Sequence, residues 1–169
     1  HIVKGPVKEE LKRITERHSG DKLLKEFFKS DNHHYQYWAI DKALAEEEPR
    51  YEFLPDMLKI ITGKNIFTAR YVLDKIPSET FSASDTLQSW IWSVYKRSNY
   101  TLQSAVLEKL QTIRLSDSLL FMICRELKNT NEEQFETMVS LLSKSETLSD
   151  RVVSELGKHL DTFEEKRKT

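Results

Sequence analysis

The sequence predicts an all-α fold, a right-handed superhelical solenoid of antiparallel helix pairs with about ten helices in all. The first observation is an acidic residue that returns at intervals of 31, 33, 32 and 33 residues: Asp21, Glu52, Asp85, Asp117 and Asp150. The second is an asparagine that returns out of phase with it, at intervals of 33, 34 and 32: Asn32, Asn65, Asn99 and Asn131. Two interleaved series of helix-start residues predict a helix pair that repeats every 31–34 residues.

Capping chemistry explains why these residues begin helices. A side-chain oxygen of Asp, Asn or Ser accepts a hydrogen bond from the free N–H groups of a first turn. A serine stands directly before three of the acidic residues, in Ser84-Asp85, Ser116-Asp117 and Ser149-Asp150. Positions four, seven, eight and eleven after each asparagine carry mostly apolar residues, as in Ala69, Val72, Leu73 and Ile76. This spacing predicts helices rather than strands.

The two series also set the helix boundaries. We predict a first helix at about 7–18 and a last one from about 150 to 165. Between them we expect the pairs 21–30 with 33–47, 51–62 with 65–76, 85–97 with 99–113, and 117–128 with 131–143. The layers thus cover 21–47, 51–76, 85–113, 117–143 and 150–165 of a single helical-repeat domain over 1–169. Pro49, Pro77 and the serine-rich segment 78–83 fall between pairs, where helix breakers are expected.

A helix pair of this length resembles the tetratricopeptide and pentatricopeptide repeats and, more distantly, the HEAT and armadillo repeats. The resemblance covers residues 21–160. Ala69 and Ala105 stand where tetratricopeptide repeats place a small residue early in the second helix. The segment from Ser84-Asp85-Thr86-Leu87 through Asn99-Tyr100 to Leu110 is similar to a pentatricopeptide repeat. The Leu-Gly pair of tetratricopeptide repeats is absent, so the resemblance reaches a class of helical repeat and no subfamily.

Composition narrows the class of protein. The chain has 169 residues, 38% of them hydrophobic and 31% charged, which is typical of a folded domain. Its formal net charge of −1 provides no global attraction to nucleic acid or to an anionic membrane. No apolar run approaches the ~20 residues that span a bilayer, so we expect no membrane insertion. Because the chain starts at His1 rather than Met, we expect it to be a fragment of a longer protein.

The sequence contains no spacing typical of catalysis, and we expect a non-enzyme with no cofactor and no small-molecule substrate. The neighbouring His33 and His34 point about 100° apart on a helix, whereas ligands of one metal want a spacing of three or four residues. The single cysteine, Cys124, lies in an apolar stretch and is interpreted as a small buried hydrophobe. The lack of a disulfide framework favours an intracellular setting, in the cytoplasm, the nucleus or an organelle.

Basic residues recur in the turns between first and second helices: Lys29, Lys64, Lys96, Arg97 and Lys128. In a solenoid, equivalent turns stack along one edge, where such a line of cations would contact a phosphate backbone or an acidic partner. The structural alternative carries more weight, since a cation at a helix C-terminus offsets the negative end of the helix dipole by about 0.3–1 kcal/mol.

Aromatic residues raise a second question, which is whether they pack inside the protein or bind a partner. Trp90 and Trp92 lie two positions apart, so a helix turns them about 200° away from each other. If Trp90 belongs to the inward face, Trp92 either packs on a neighbouring repeat, which we favour, or is an exposed binding anchor. Tyr37, beside Tyr35 and Trp38, poses the same question one layer earlier.

Two functions remain open on the sequence. The first is a non-catalytic scaffold for protein–protein interaction within a larger protein or complex. The alternative is a helical-repeat module that binds single-stranded RNA through turn cations and polar positions of the first helices. For either function the candidate partner-binding residues are Lys29, Lys64, Lys96, Arg97, Lys128, Trp92 and Tyr37.

Overall fold

The computed structural model describes residues 5–45 and 47–168, which form helices and turns with no strand among them. The all-α class is therefore confirmed. The helices gather into two compact units that divide between Lys75 and Ile76. The single domain over 1–169 stays a prediction.

The first unit contains two pairs of helices. They are α1 (Gly5–Phe28), α2 (His33–Ala43), α3 (Leu54–Ile61) and α4 (Ile66–Lys75). A 3-10 turn at Tyr51–Phe53 leads into α3. Each helix packs on its partner in the pair, and α1 also contacts α3 while α2 contacts α4. Apolar residues from all four helices meet in the core, among them Phe28, Ile40, Met57, Ile61 and Leu73.

The second unit follows the same scheme with more helices. They are α5 (Ser78–Ser82), α6 (Asp85–Arg97), α7 (Tyr100–Leu110), α8 (Asp117–Glu126), α9 (Glu132–Ser143), α10 (Asp150–Gly157) and α11 (Leu160–Lys168). First helices contact one another in the order α6, α8, α10, and the second helices α7 and α9 also touch. A 3-10 turn, Leu127–Asn129, closes α8. The core of the second unit includes Phe81, Ile91, Leu110, Leu119 and Ile123.

The asparagine series caps the second helices as the sequence predicts. Each asparagine Oδ1 accepts from a backbone N–H of the first turn: Asn32 from His34, Asn65 from Phe67 and Thr68, Asn99 from Leu102, and Asn131 from Gln134. The donor–acceptor distances are 2.8–3.2 Å. All four predicted starts are therefore confirmed to within a residue or two.

In the acidic series the cap is the serine and not the acid. The hydroxyls of Ser84, Ser116 and Ser149 accept from the N–H three residues on, and the following aspartate is the first residue of α6, α8 or α10. Their carboxylates lie in the first turn, where a negative charge interacts favourably with the helix dipole. Three of the five acidic residues thus mark a helix start, one position later than the cap itself.

The start predicted at Asp21 is wrong. Helix α1 runs from Gly5 to Phe28 without a break, so the predicted helices 7–18 and 21–30 are one element. Gly20 is the only breaker at the junction, and a lone glycine costs a helix only about 1 kcal/mol relative to alanine. Asp21 instead forms an ion pair, with its Oδ1 2.7 Å from Arg50 Nη2.

Glu52 does not begin a helix either. It lies in the 3-10 turn, where its Oε1 is 2.6 Å from Arg50 Nη2, and α3 starts at Leu54 with Pro55 in its first turn. The proline ring cannot donate to the preceding turn, so the α-helix begins where the missing N–H is harmless.

Three further boundaries differ from the prediction. Helix α2 ends at Ala43, short of the predicted 47, and its last carbonyl accepts from Arg50 N at 2.5 Å; Glu46 lies outside the described residues. The segment 78–83, predicted as a break, contains the short helix α5. The last helix, predicted as one piece, is divided between α10 and α11 by a turn at Lys158 and His159.

Side-chain bonds that span about one repeat join neighbouring layers within each unit. In the first unit Tyr71 donates to Asp41 at 2.6 Å, 30 residues away. In the second, Gln134 Nε2 donates to Gln103 Oε1 at 2.9 Å, and Arg151 Nη2 is 3.1 Å from Asp117 Oδ2, across 31 and 34 residues. Tyr100 also pairs with Glu133. The sequence period therefore corresponds to a physical contact between successive helix pairs.

Candidate interaction groove

A groove of about 730 Å³ lies in the second unit, between the C-terminal halves of α6 and α8. We call it the basic groove. It is lined by Ser89, Trp92, Ser93, Lys96 and Arg97 from α6, Met122, Arg125 and Glu126 from α8, Lys128 and Asn129 from the following turn, and Glu155 from α10. Four of these side chains are cationic and two are anionic, which leaves two positive charges in excess.

Both carboxylates of the basic groove are occupied by internal partners. Glu126 accepts from Lys96, so the last turn of α6 is tied to the end of α8. Glu155 accepts from Lys158 Nζ and His159 Nε2, each at 3.2 Å. Burial tends to raise the pKa of Glu155, but the hydrogen bonds from Lys158 and His159 prevail and lower its pKa, so the carboxylate stays ionised at neutral pH.

The two arginines of the groove are held by neutral groups. Arg97 Nε donates to the Ser93 carbonyl at 3.0 Å and its Nη2 to the Ser93 hydroxyl at 3.2 Å. The Arg125 guanidinium lies 6.0 Å from the centre of the Phe121 ring, within range of a cation–π contact. The sequence analysis expects cations at helix ends to interact with the negative end of the helix dipole. The hydrogen bond from Arg97 to the Ser93 carbonyl, near the end of α6, agrees with that role. Within the described part of the chain, the groups that hold Arg97 are thus neutral.

Trp92 is buried, with 5% of its surface exposed, and its ring stacks on Tyr95 with centroids 4.6 Å apart. Burial, with a smaller effect from the Glu126 charge, raises the pKa of Tyr95 to about 12. Trp92 is therefore not an exposed anchor, and its packing on a neighbouring repeat stays a prediction. Trp90 is only half-buried, so α6 turns Trp92 inward rather than Trp90.

The remaining candidate residues belong to the first unit. Lys29 and Lys64 are exposed, in the turns that follow α1 and α3. Tyr37 is half-buried on α2, and its ring centroid is 4.2 Å from that of Tyr71. The structure thus brings Lys96, Arg97, Lys128 and Trp92 together. The single line of turn cations over the whole chain stays a prediction.

Exposed aromatic rings form a second surface in the first unit. Tyr35 stacks on Phe27 with centroids 4.6 Å apart, and Trp38 meets the edge of the same Phe27 ring at 5.3 Å. Trp38 keeps 42% of its surface exposed, and Lys42 Nζ lies 5.9 Å from its ring. On α4, Phe67 is 76% exposed. These rings supply apolar surface but no charge pattern that would select a ligand.

Sequence reasoning missed several residues of the basic groove. Arg125 stands three positions before Lys128, one helical turn away, so its place beside the turn cations followed from the helix period. The prediction from the sequence includes only the cations expected within the turns. Glu155 enters from α10, and no local signal in the sequence places it there.

Glu155 of the basic groove lies close enough to Cys124 for its charge to act on the thiol, and the same carboxylate contacts His159. Cys124 is buried, as the sequence predicts. Burial, followed by the negative charge of Glu155, raises the pKa of the Cys124 thiol to about 11. A nucleophilic cysteine needs the thiolate at neutral pH, so this thiol is held in its unreactive form.

The raised pKa of Cys124 leads to a testable pH dependence. The unfolded thiol, with an ordinary pKa near 9.0, loses its proton before the folded one does. The free energy of unfolding is therefore expected to fall as the pH rises from about 9 to about 11 and to show no thiol contribution below that window. Urea unfolding at several pH values measures this fall, and Cys124→Ala should reduce its slope. An unchanged slope, or alkylation of Cys124 in the folded protein at pH 7.5 as fast as in urea, contradicts the prediction.

Among the side chains that the structure describes, no group of three or more from His, Cys, Asp or Glu is arranged to hold a metal ion. None of the helices in the described part of the chain has both the length and the apolar character needed to cross a membrane.

Comparison with known proteins finds no matching family model, curated protein or solved structure. The resemblance to tetratricopeptide-class repeats therefore stays a prediction from the residues.

Proposed function

We propose that this chain is a non-catalytic protein-interaction module that acts as a scaffold within a larger intracellular protein or complex. Its helix pairs are arranged as a right-handed superhelical solenoid of the tetratricopeptide or HEAT type. Such arrays offer extended concave surfaces built from equivalent positions of successive repeats.

The observation that carries this proposal is the basic groove. Lys96 and Arg97 come from the last turn of α6, and Lys128 comes from the 3-10 turn that directly follows α8. Neighbouring repeats thus contribute matching residues to one concavity, which is how helical repeats build a binding surface. The groove also contains hydrogen-bonding groups, Ser89 and Asn129, beside the apolar Met122. This mixture is typical of a surface that accepts a polypeptide.

Affinity capture followed by reconstitution tests the proposal. The immobilised 169-residue chain should retain a protein from nuclease-treated extract of its own cells, and the purified partner should bind the purified chain directly. An RNA module would instead shift labelled single-stranded oligonucleotides at ~50 mM salt, where contacts to phosphates are strongest. The proposal fails if no retained protein binds directly, or if an oligonucleotide displaces the partner and binds more tightly than it does.

A further inference from the structure

We infer that the basic groove binds a short acidic segment of the partner protein, with carboxylates placed against Arg97 and Arg125. The inference rests on the proposed function and names the chemistry of the ligand at the same groove. Three properties of the groove support it: the sign of its charge, the contacts of its arginines and the nature of its floor.

Charge selects an anionic ligand. The cations of the groove outnumber its carboxylates by two, although the whole chain has a net charge of −1. One carboxylate, Glu126, is bound to Lys96, and the other, Glu155, is neutralised from outside the groove by Lys158. A concave surface with one sign of charge in excess concentrates ligands of the opposite sign.

The arginine contacts show which charges are available. Within the described residues, Arg97 is held by the carbonyl and hydroxyl of Ser93, and Arg125 lies near the Phe121 ring. A carboxylate forms two parallel hydrogen bonds with a guanidinium, and charge-assisted bonds of this kind are about twice as strong as neutral ones. The carboxylate of an incoming Asp or Glu therefore binds each arginine more strongly than its present neutral partner does.

The floor of the groove suits a peptide better than a nucleic acid. Single-stranded nucleic acids bind by stacking their bases on exposed aromatic rings. Among the described residues that line the groove, Trp92 supplies the aromatic ring, and it is stacked on Tyr95 and only 5% exposed.

The volume of the basic groove accommodates a few residues of an extended segment. About 730 Å³ lies within the range of pockets that take drug-sized ligands, roughly 300–1,000 Å³. Ser89 and Asn129 are placed to hydrogen-bond the backbone of such a segment, and Met122 offers a flexible apolar contact for one side chain between the acids.

The experiment uses fluorescence anisotropy with the whole 169-residue chain. The probe is a labelled ten-residue peptide of Asp and Glu with a central Leu, compared with the same peptide in its Asn and Gln form and with a single-stranded oligouridine. The acidic peptide should bind at ~50 mM salt and weaken as salt increases, because both ion pairs are exposed to screening. The neutral peptide should bind at least about tenfold more weakly, since it loses the charge-assisted bonds.

The test variant is Arg97→Glu with Arg125→Glu, and both side chains are exposed. The matched control is Arg114→Glu with Lys144→Glu, which makes the same change in net charge at a separate cleft of the second unit. We expect the test variant to weaken the acidic peptide at least about tenfold and the control less than about threefold. Circular dichroism verifies folding, and Arg97→Gln with Arg125→Gln replaces the test pair if charge reversal unfolds the protein.

Each outcome decides the inference. It is overturned if the acidic peptide does not bind, if the control weakens binding as much as the test variant, or if the oligouridine binds more tightly than the peptide. The partner protein separates this failure from failure of the proposed function. If that partner still binds the Arg97→Glu, Arg125→Glu variant at full strength, the module has its function but the basic groove is not the site.

Discussion

Replacing Phe81 with alanine is expected to destabilise the second unit by about 3–5 kcal/mol, the range found for large aromatic side chains removed from a core. Phe81 is fully buried although it lies in α5, a helix of only five residues. A helix this short has no stability of its own, so its position depends on the packing of this ring. Loss of the ring also loosens Ser82, whose hydroxyl accepts from Arg114 N at 3.0 Å.

Urea unfolding followed by circular dichroism measures the effect of Phe81→Ala as a lower transition midpoint. Phe67→Ala is the matched control, because it makes the same chemical change at a side chain that is 76% exposed. We expect the control to change the free energy of unfolding by less than about 0.5 kcal/mol. If the two variants have the same midpoint, α5 is not docked through Phe81.

The contrast between α5 and the asparagine caps shows which parts of the fold were predictable. The caps at Asn32 and Asn99 act through bonds within two or three residues, and so a local pattern is sufficient to find them. Helix α5 has the opposite character. Its composition, Ser-Glu-Thr-Phe-Ser, is typical of a turn, and it is helical because tertiary packing buries one ring.

Asp21 and Glu52 fit the acidic series in spacing and yet serve a different purpose. Both pair with Arg50, which lies 29 residues after the first and two before the second. A period read from the sequence cannot distinguish a capping acid from an acid that pairs with a distant arginine, since the two have the same residue type. The serine before the acid is the better marker, because every Ser-Asp pair of the series begins a helix.

The candidate site was predictable to the extent that it follows the helix period. The turn cations Lys96, Arg97 and Lys128 do line one groove, since α6 and α8 pack side by side. The helix period alone does not determine whether Trp90 or Trp92 faces the core. Two tryptophans two residues apart point in nearly opposite directions, and only the position of the neighbouring helix determines which one is inside.

Replacing Gln88 with alanine is the second change with a large expected effect, because this side chain joins three separate parts of the second unit. Gln88 is buried on α6. Its Nε2 donates to the carbonyls of Phe81 and Arg114, at 3.1 and 3.0 Å. Its Oε1 accepts from Ser116 N at 2.8 Å. One side chain thus fixes the end of α5 and the loop that leads into α8.

When the three hydrogen bonds of Gln88 are lost, some of their partner groups keep another hydrogen bond and others do not. The Phe81 carbonyl also accepts from Ser84 N, so it keeps a partner. Ser116 N has only one proton to donate, and it belongs to the residue that caps α8. A polar group left unsatisfied away from water costs about 1–3 kcal/mol, and the missing side chain leaves a cavity as well. We therefore expect Gln88→Ala to destabilise the protein by about 2–4 kcal/mol. Gln111→Ala, at an exposed glutamine of the same unit, should change the stability by less than about 0.5 kcal/mol.

Gln88→Glu separates the hydrogen bonds from the packing, because it keeps the shape of the side chain and replaces the amide nitrogen by oxygen. An ionised carboxylate cannot donate to the carbonyls of Phe81 and Arg114, and its burial raises its pKa above the unfolded value. The penalty is therefore expected to be full at pH 7 and to shrink as the pH falls towards about 4, where the carboxyl gains a proton and one donor. Urea unfolding of this variant and the unchanged protein at pH 7 and pH 4.5 measures the difference. A penalty that is equal at both pH values would mean that the amide of Gln88 does not hold α5 and the α8 loop together.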